Sequence, residues 1–203
     1  PQDEKNFEVL TASEIYNVDL NGTLKKVKDQ DMYSGLSFSP DGNYLMATTI
    51  KKPFSYIVPL SRFPMTTTVY DMNGNVVKVV NETPLNEIMP KGFSSVRTGK
   101  RDMGWRSDMP ATLVYAEALD GGDQYKNAEF RDEIFTWEAP FTNAPKSFFK
   151  TKQRYEDVSW TNDHYAIVSE GCYDTRNTKS FLVDLNNGES KVIDDRNYQD
   201  VYS

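Results

Sequence analysis

Short apolar and β-branched runs separated by polar turn residues dominate the chain. Leu36–Phe38 and Tyr44–Ile50 flank Ser39-Pro40-Asp41-Gly42, where proline presets φ and glycine accepts a positive one. Thr66–Tyr70 and Val76–Val80 flank Asp71-Met72-Asn73-Gly74-Asn75, and Asn-Gly is a strong hairpin signal. Runs such as Thr66-Thr67-Thr68-Val69 suit a pleated surface better than a helix. No window of 12 or more residues carries the i, i+3, i+4, i+7 spacing of an amphipathic helix, and Asn86–Met89 offers one turn at most. The pattern predicts a nearly all-β chain.

The strands repeat. Ser39-Pro-Asp-Gly-Asn-Tyr-Leu-Met46 has partners in Ser107-Asp-Met-Pro-Ala-Thr-Leu-Val114 and Thr161-Asn-Asp-His-Tyr-Ala-Ile-Val168, preceded by Phe38, Trp105 and Trp160. A second unit follows each one, a strand running into a turn at Asp71, Glu138 and Asp184. An orphan copy at Asp19 has no first unit before it. The four acidic positions lie 52, 67 and 46 residues apart. A helix-free unit of four strands at this period predicts a partial β-propeller, with about three complete four-stranded antiparallel blades plus half a blade. The half blade is 13–30, the blades are 31–82, 83–151 and 152–196, and 197–203 starts the next. Leu119–Asp132 enlarges the second blade. A β-sandwich is the alternative. The termini, Pro1-Gln2-Asp3 and Val201-Tyr202-Ser203, read as cuts through a longer polypeptide, because an open ring leaves sheet edges uncovered.

Composition narrows the function classes. A net charge of −7 argues against nucleic-acid binding, which calls for a basic face. No apolar run of about 18 residues exists to span a membrane. One cysteine and one histidine leave no disulfide and no thiolate or imidazole metal cluster, so neither a metal nor a cofactor is expected. His164, in a turn, reads as solvated, and Cys172 as a small, semi-buried residue without a neighbouring base. No Gly-x-Ser-x-Gly elbow occurs, so the chain itself is expected to be non-catalytic. The pairs Asp132-Glu133 and Asp194-Asp195 read as solvated turn residues in a chain with 30 acids. One local departure from the acidic background stands out: Arg97, Lys100, Arg101 and Arg106 fall within ten residues, and Arg176 follows the corresponding strand of the next repeat. These five are either loop charges and braces between repeats or a substrate-binding patch, since arginine forks match carboxylates.

Ser37-Phe-Ser-Pro-Asp-Gly-Asn-Tyr-Leu-Met46 and its continuation to Pro64, Trp105-Arg-Ser-Asp-Met-Pro-Ala-Thr112, Glu117–Asp123, Arg131–Phe141 and Tyr173-Asp-Thr-Arg-Asn-Thr178 resemble the β-propeller of the prolyl oligopeptidase superfamily, in its glutamyl endopeptidase branch. Cys172 departs from that pattern, which implies tryptophan there. The resemblance covers about 13–196 and implies a serine peptidase of two domains. The propeller would gate access for a peptide substrate, and a C-terminal α/β-hydrolase domain of the same polypeptide, absent from this chain, would carry the catalytic residues. It also implies a bacterial cell-envelope, periplasmic or secreted setting. The alternative is a stand-alone propeller that binds a partner without chemistry.

Overall fold

The computed structural model describes residues 2–161 and 164–200, in which strands predominate. Contacts divide the chain into two compact units, one ending at Glu87 and one beginning at Ile88.

The first unit opens with a helix, α1 (Gln2–Thr11), which the sequence pattern does not predict. Its residues form no apolar stripe; the Phe7 ring lies 4.9 Å from Phe54 and 6.1 Å from Phe63, and Glu8 pairs with Lys52 at 2.5 Å. Strands β1 (Ser13–Val18) and β2 (Leu24–Asp31) form a two-stranded sheet. Strands β3 (Tyr33–Phe38), β4 (Tyr44–Ile50), β5 (Met65–Asp71) and β6 (Val76–Thr83) form a four-stranded antiparallel meander. Its central strands are buried on both faces over Leu45–Ala47 and Thr67–Tyr70, whereas β6 is mostly exposed.

The second unit holds two meanders of the same kind. One comprises β7 (Arg101–Trp105), β8 (Thr112–Ala118), β9 (Asp132–Glu138) and β10 (Lys146–Thr151). The other comprises β11 (Arg154–Trp160), β12 (Tyr165–Cys172), β13 (Asn177–Asp184) and β14 (Ser190–Asn197). Their shared core joins Val114, Ala116 and Ile134 of the first sheet to Tyr155, Val168 and Val183 of the second, with Phe149, Trp160 and Phe181 packed against it. Burying each such side chain contributes about 1.5–3 kcal/mol. The architecture is therefore all-β, with four antiparallel sheets and no closure among the described residues.

The repeated sequence units occupy matching places. Phe38, Trp105 and Trp160 each end the first strand of a four-stranded sheet. Asp71, Glu138 and Asp184 each end the third. The turn chemistry also repeats: Asp71 Oδ1 accepts from Asn73 N at 2.8 Å and Asn75 N at 2.9 Å, and Asp19 Oδ1 from Asn21 N and Thr23 N, both at 2.8 Å. An acidic side chain thus tethers the turn that reverses the strand.

Tyr198 and Gln199 form a turn, and residues 201–203 lie outside the described residues, as do Asn162 and Asp163. Asp132 is not a solvated turn residue: it opens β9 and is fully buried, while Asp194 and Asp195 lie within β14. Asp132 sits two residues before buried Ile134, so the two-residue strand period carries it onto the inner face.

Gly122 has φ +80°, and a Cβ there would meet the Val96 carbonyl oxygen at 2.0 Å, whereas Gly42 at φ +72° faces open space. Replacing Gly42 with alanine is expected to cost only the backbone strain, about 1 kcal/mol. Gly122→Ala adds a clash with main chain and is expected to cost at least about twice that. Thermal unfolding of the two variants checks the order.

Candidate functional site

The β7 and β11 sheets of the second unit are joined at one strand end by buried ions. Arg154, at the start of β11, donates from Nη2 to Asp120 Oδ2 at 2.6 Å and from Nη1 to Asp132 Oδ1 at 3.0 Å. Its Nε donates to the Ser94 carbonyl at 2.6 Å. Asp132 Oδ2 accepts from Tyr155 N at 2.7 Å and lies 2.6 Å from Arg101 Nη2, an ion pair without hydrogen-bond geometry. Asp120 also accepts from Arg131 Nη1 at 2.9 Å and from Gly122 N at 2.9 Å. Both aspartates are at most 1% exposed. Burial opposes the Asp120 carboxylate, but the hydrogen bonds from Arg131 and Arg154 outweigh it and hold its pKa below the usual value.

The network fastens two loops. Ser94 in the 84–100 segment receives Arg154, donates its own N–H to Gln124 Oε1 at 2.6 Å, and accepts the Tyr173 N–H on Oγ at 2.9 Å. Val96 N donates to the Gly122 carbonyl at 3.0 Å, which is the close approach that requires glycine there.

The five candidate cations do not form one cluster. Arg97, Lys100, Arg101 and Arg176 belong to the network end of the strands. Arg106 follows the opposite end of β7, about 16 Å away at the strand rise. Arg106 grips Asp108 with two bonds, Nε to Oδ1 at 3.0 Å and Nη2 to Oδ2 at 2.6 Å, and stacks 3.8 Å above Trp160. Arg101 is 6% exposed and paired with Asp132 and Asp102. Arg97 donates to the Thr98 and Lys100 carbonyls of its own loop. Lys100 Nζ lies 4.4 Å from the Trp137 ring and 5.2 Å from Tyr115, whose phenol burial pushes up to about 12.

Arg176 is held differently. It adopts φ +57°, uncommon for a residue with a side chain, and its guanidinium lies 3.7 Å over the exposed Tyr173 ring. Nη1 donates to Tyr198 Oη at 3.1 Å, and Phe93 meets Tyr173 at 4.4 Å. Among the described residues no carboxylate pairs with it.

His164 is exposed, and its carbonyl accepts from Leu185 N at 2.8 Å. Burial raises the Cys172 pKa, but hydrogen bonds from Thr175 and Asp174 bring it below the usual value. No group of three potential metal ligands exists among the described residues.

No family model matches the chain. Curated proteins do. A chloroplastic protein of Oryza sativa subsp. japonica, named as a probable glutamyl endopeptidase, is 34% identical over 201 residues. Its namesake from Arabidopsis thaliana is 35% identical over 201 residues. The chain is similar in sequence to a segment of these two proteins named as probable glutamyl endopeptidases. The match takes in 97% of this chain but only 21% of each relative, so the chain spans about a fifth of their length. Among solved structures, an acylaminoacyl peptidase in complex with Z-Gly-Gly-Phe-chloromethyl ketone aligns with a TM-score of 0.50 and 19% identity, covering 92% of this chain and 29% of that one. An oligogalacturonate lyase in complex with manganese aligns at 0.54 and 12%, covering 90% and 48%. These two likenesses concern the fold alone. The names of the plant relatives place them in chloroplasts, so the envelope and periplasmic expectation gains no support. No helix among the described residues is long and apolar enough to cross a membrane.

Sequence reasoning missed Asp120, Arg131, Asp132 and Arg154 in this endopeptidase-related chain. Asp132→Asn would leave Arg154 and Arg101 partly uncompensated, and is expected to cost about 3–5 kcal/mol in unfolding free energy. Because the folded pKa of Asp120 is depressed, its contribution is complete above the unfolded value near 3.9 and is lost as pH falls through the folded value. Acid melts therefore should drop more steeply below about pH 4 for the native chain than for Asp120→Asn.

Proposed function

We propose that the chain is the non-catalytic, substrate-gating β-propeller portion of a serine peptidase that cleaves peptides after glutamate. The observation that carries this reading is the match across 97% of the chain to glutamyl endopeptidases of which it spans 21%. The three repeated meanders support it: each is one blade, over 31–82, 83–151 and 152–196, with 13–30 the outer pair of another and 197–203 the entry to the next. A hydrolase domain elsewhere in the same polypeptide supplies nucleophile, base and oxyanion donors. The peptide substrate reaches them past the loops of the propeller.

Within this reading the cations have different fates. Arg101 and Arg106 spend their charge on Asp132, Asp102 and Asp108, and act as braces. Arg97 and Lys100 are engaged by their own loop and by aromatic rings. Arg176 stands on Tyr173 with its fork unspent on acids, which favours it as the group that meets a substrate carboxylate. A charge-assisted contact is worth about 1.5–3 kcal/mol, or roughly 10- to 150-fold in discrimination.

The test is cleavage of a matched pair of peptides, with Glu or Gln before the scissile bond, by the complete polypeptide. The expected result is a clear preference for Glu, and Arg176→Ala should lower kcat/KM for Glu at least about tenfold while changing Gln little. Absence of any cleavage would overturn the peptidase reading. Equal loss for both peptides would make Arg176 structural.

A further inference from the structure

The second unit contains a cavity of about 600 Å³ that none of the ion-network residues lines. Two of its lining residues carry an acceptor oxygen without a donor, the one on Gln153 being sealed from solvent. Glu170, on β12, is only 2% exposed. Its Oε2 accepts from Lys152 N at 2.7 Å and Gln153 N at 3.2 Å. Among the described residues no hydrogen bond reaches its Oε1, and no cationic side chain pairs with the carboxylate. Gln153 Oε1 is buried and equally without a donor. Its orientation is fixed, because Gln153 Nε2 donates to Asn177 Oδ1 at 2.5 Å while Asn177 Nδ2 is committed to Asp195 and the Arg196 carbonyl.

The rest of the wall has a different character. Phe149 and Phe181, with ring centroids 5.4 Å apart, supply an apolar surface, extended by Phe130. Three lysines also line the cavity. Lys150 lies 3.8 Å from Glu133, and Lys179 lies 2.9 Å from Asp195. Lys152 is exposed and has no carboxylate partner among the described residues.

These demands select a ligand class. A carboxylate oxygen of a buried residue that lacks a donor is costly unless one arrives. A purely anionic ligand would face Glu170, and a neutral apolar one would leave Glu170 Oε1 unmet. A divalent metal would find a single carboxylate, fewer ligands than it takes from protein. An ammonium carries three donors and no acceptor, and aromatic faces favour it further. Lys152 at the exposed side then calls for an anion on the same molecule.

We propose that this cavity binds a small zwitterion with an apolar body, a free amino acid or short peptide bearing an apolar side chain. The ammonium sits on Glu170 Oε1, the carboxylate meets Lys152, and the side chain lies against Phe149 and Phe181. The assignment does not rest on peptidase activity, and binding alone tests it.

The experiment is calorimetric titration of the complete polypeptide with L-phenylalanine, N-acetylphenylalanine and phenylalanine amide. Phenylalanine should bind, and blocking its amine should weaken it at least about tenfold. Glu170→Gln should do the same to phenylalanine. Lys152→Gln should weaken phenylalanine about threefold and leave the amide unchanged, since that contact is solvent-exposed. A Kd for phenylalanine weaker than about 10 mM would overturn the proposal. So would equal binding of the N-acetyl compound, or a Lys152→Gln effect shared equally by acid and amide. The ligand series is read on the unaltered protein, so the outcome does not hang on whether Glu170→Gln folds.

Discussion

Two aspartates buried between two sheets constrain everything around them. Taking Asp120, Asp132, Arg101 and Arg154 out of water costs several kcal/mol per ion, and attraction offsets this only when the remaining lone pairs and protons are met. Asp120 meets that condition with Gly122, Arg131 and Arg154, and Asp132 with Tyr155 N and Arg154, whereas Arg101 beside it keeps Nε and Nη2 without hydrogen-bond partners. Arg154 reaches both aspartates and the Ser94 carbonyl, so one guanidinium joins β9, β11 and two loops. Such an arrangement contributes geometric definition more than net stability, because only one register of the two sheets satisfies it.

From that register the loop geometry follows. The 84–100 segment is tied down at Ser94 and Val96, the 119–131 loop at Asp120 and Gly122, and the β12–β13 turn at Tyr173. Aromatic rings then stand at this end with Arg176 laid on one of them. The surface is arranged by buried charge and closed by glycine. Among the described residues this end presents the Arg176 guanidinium beside the Tyr173 and Phe93 rings.

Local features were legible in the sequence because they depend on near neighbours. The Asp71 and Asp19 turns are written in four or five consecutive residues, and the first-strand aromatics Phe38, Trp105 and Trp160 mark the repeat. The helix α1 was not legible, since Phe7 meets Phe54 and Phe63 and Glu8 meets Lys52, all more than forty residues away. The buried ions were hidden for the same reason: Arg154 meets Asp120 across 34 positions and Asp132 across 22. Asp132 did carry a clue, its even spacing from Ile134 along an inward-facing strand. The five cations share a sign but not a place, because Arg106 leaves β7 at the end opposite Arg101.

The central claim is that this segment shapes access while the chemistry belongs to another part of the polypeptide. The most direct measurement is covalent labelling of the complete protein with a fluorophosphonate, followed by mass-spectrometric mapping of the modified serine. The account predicts a single adduct on a serine outside residues 1–203. An adduct on any serine within this chain, or no adduct on a protein that nevertheless cleaves peptides, would contradict it.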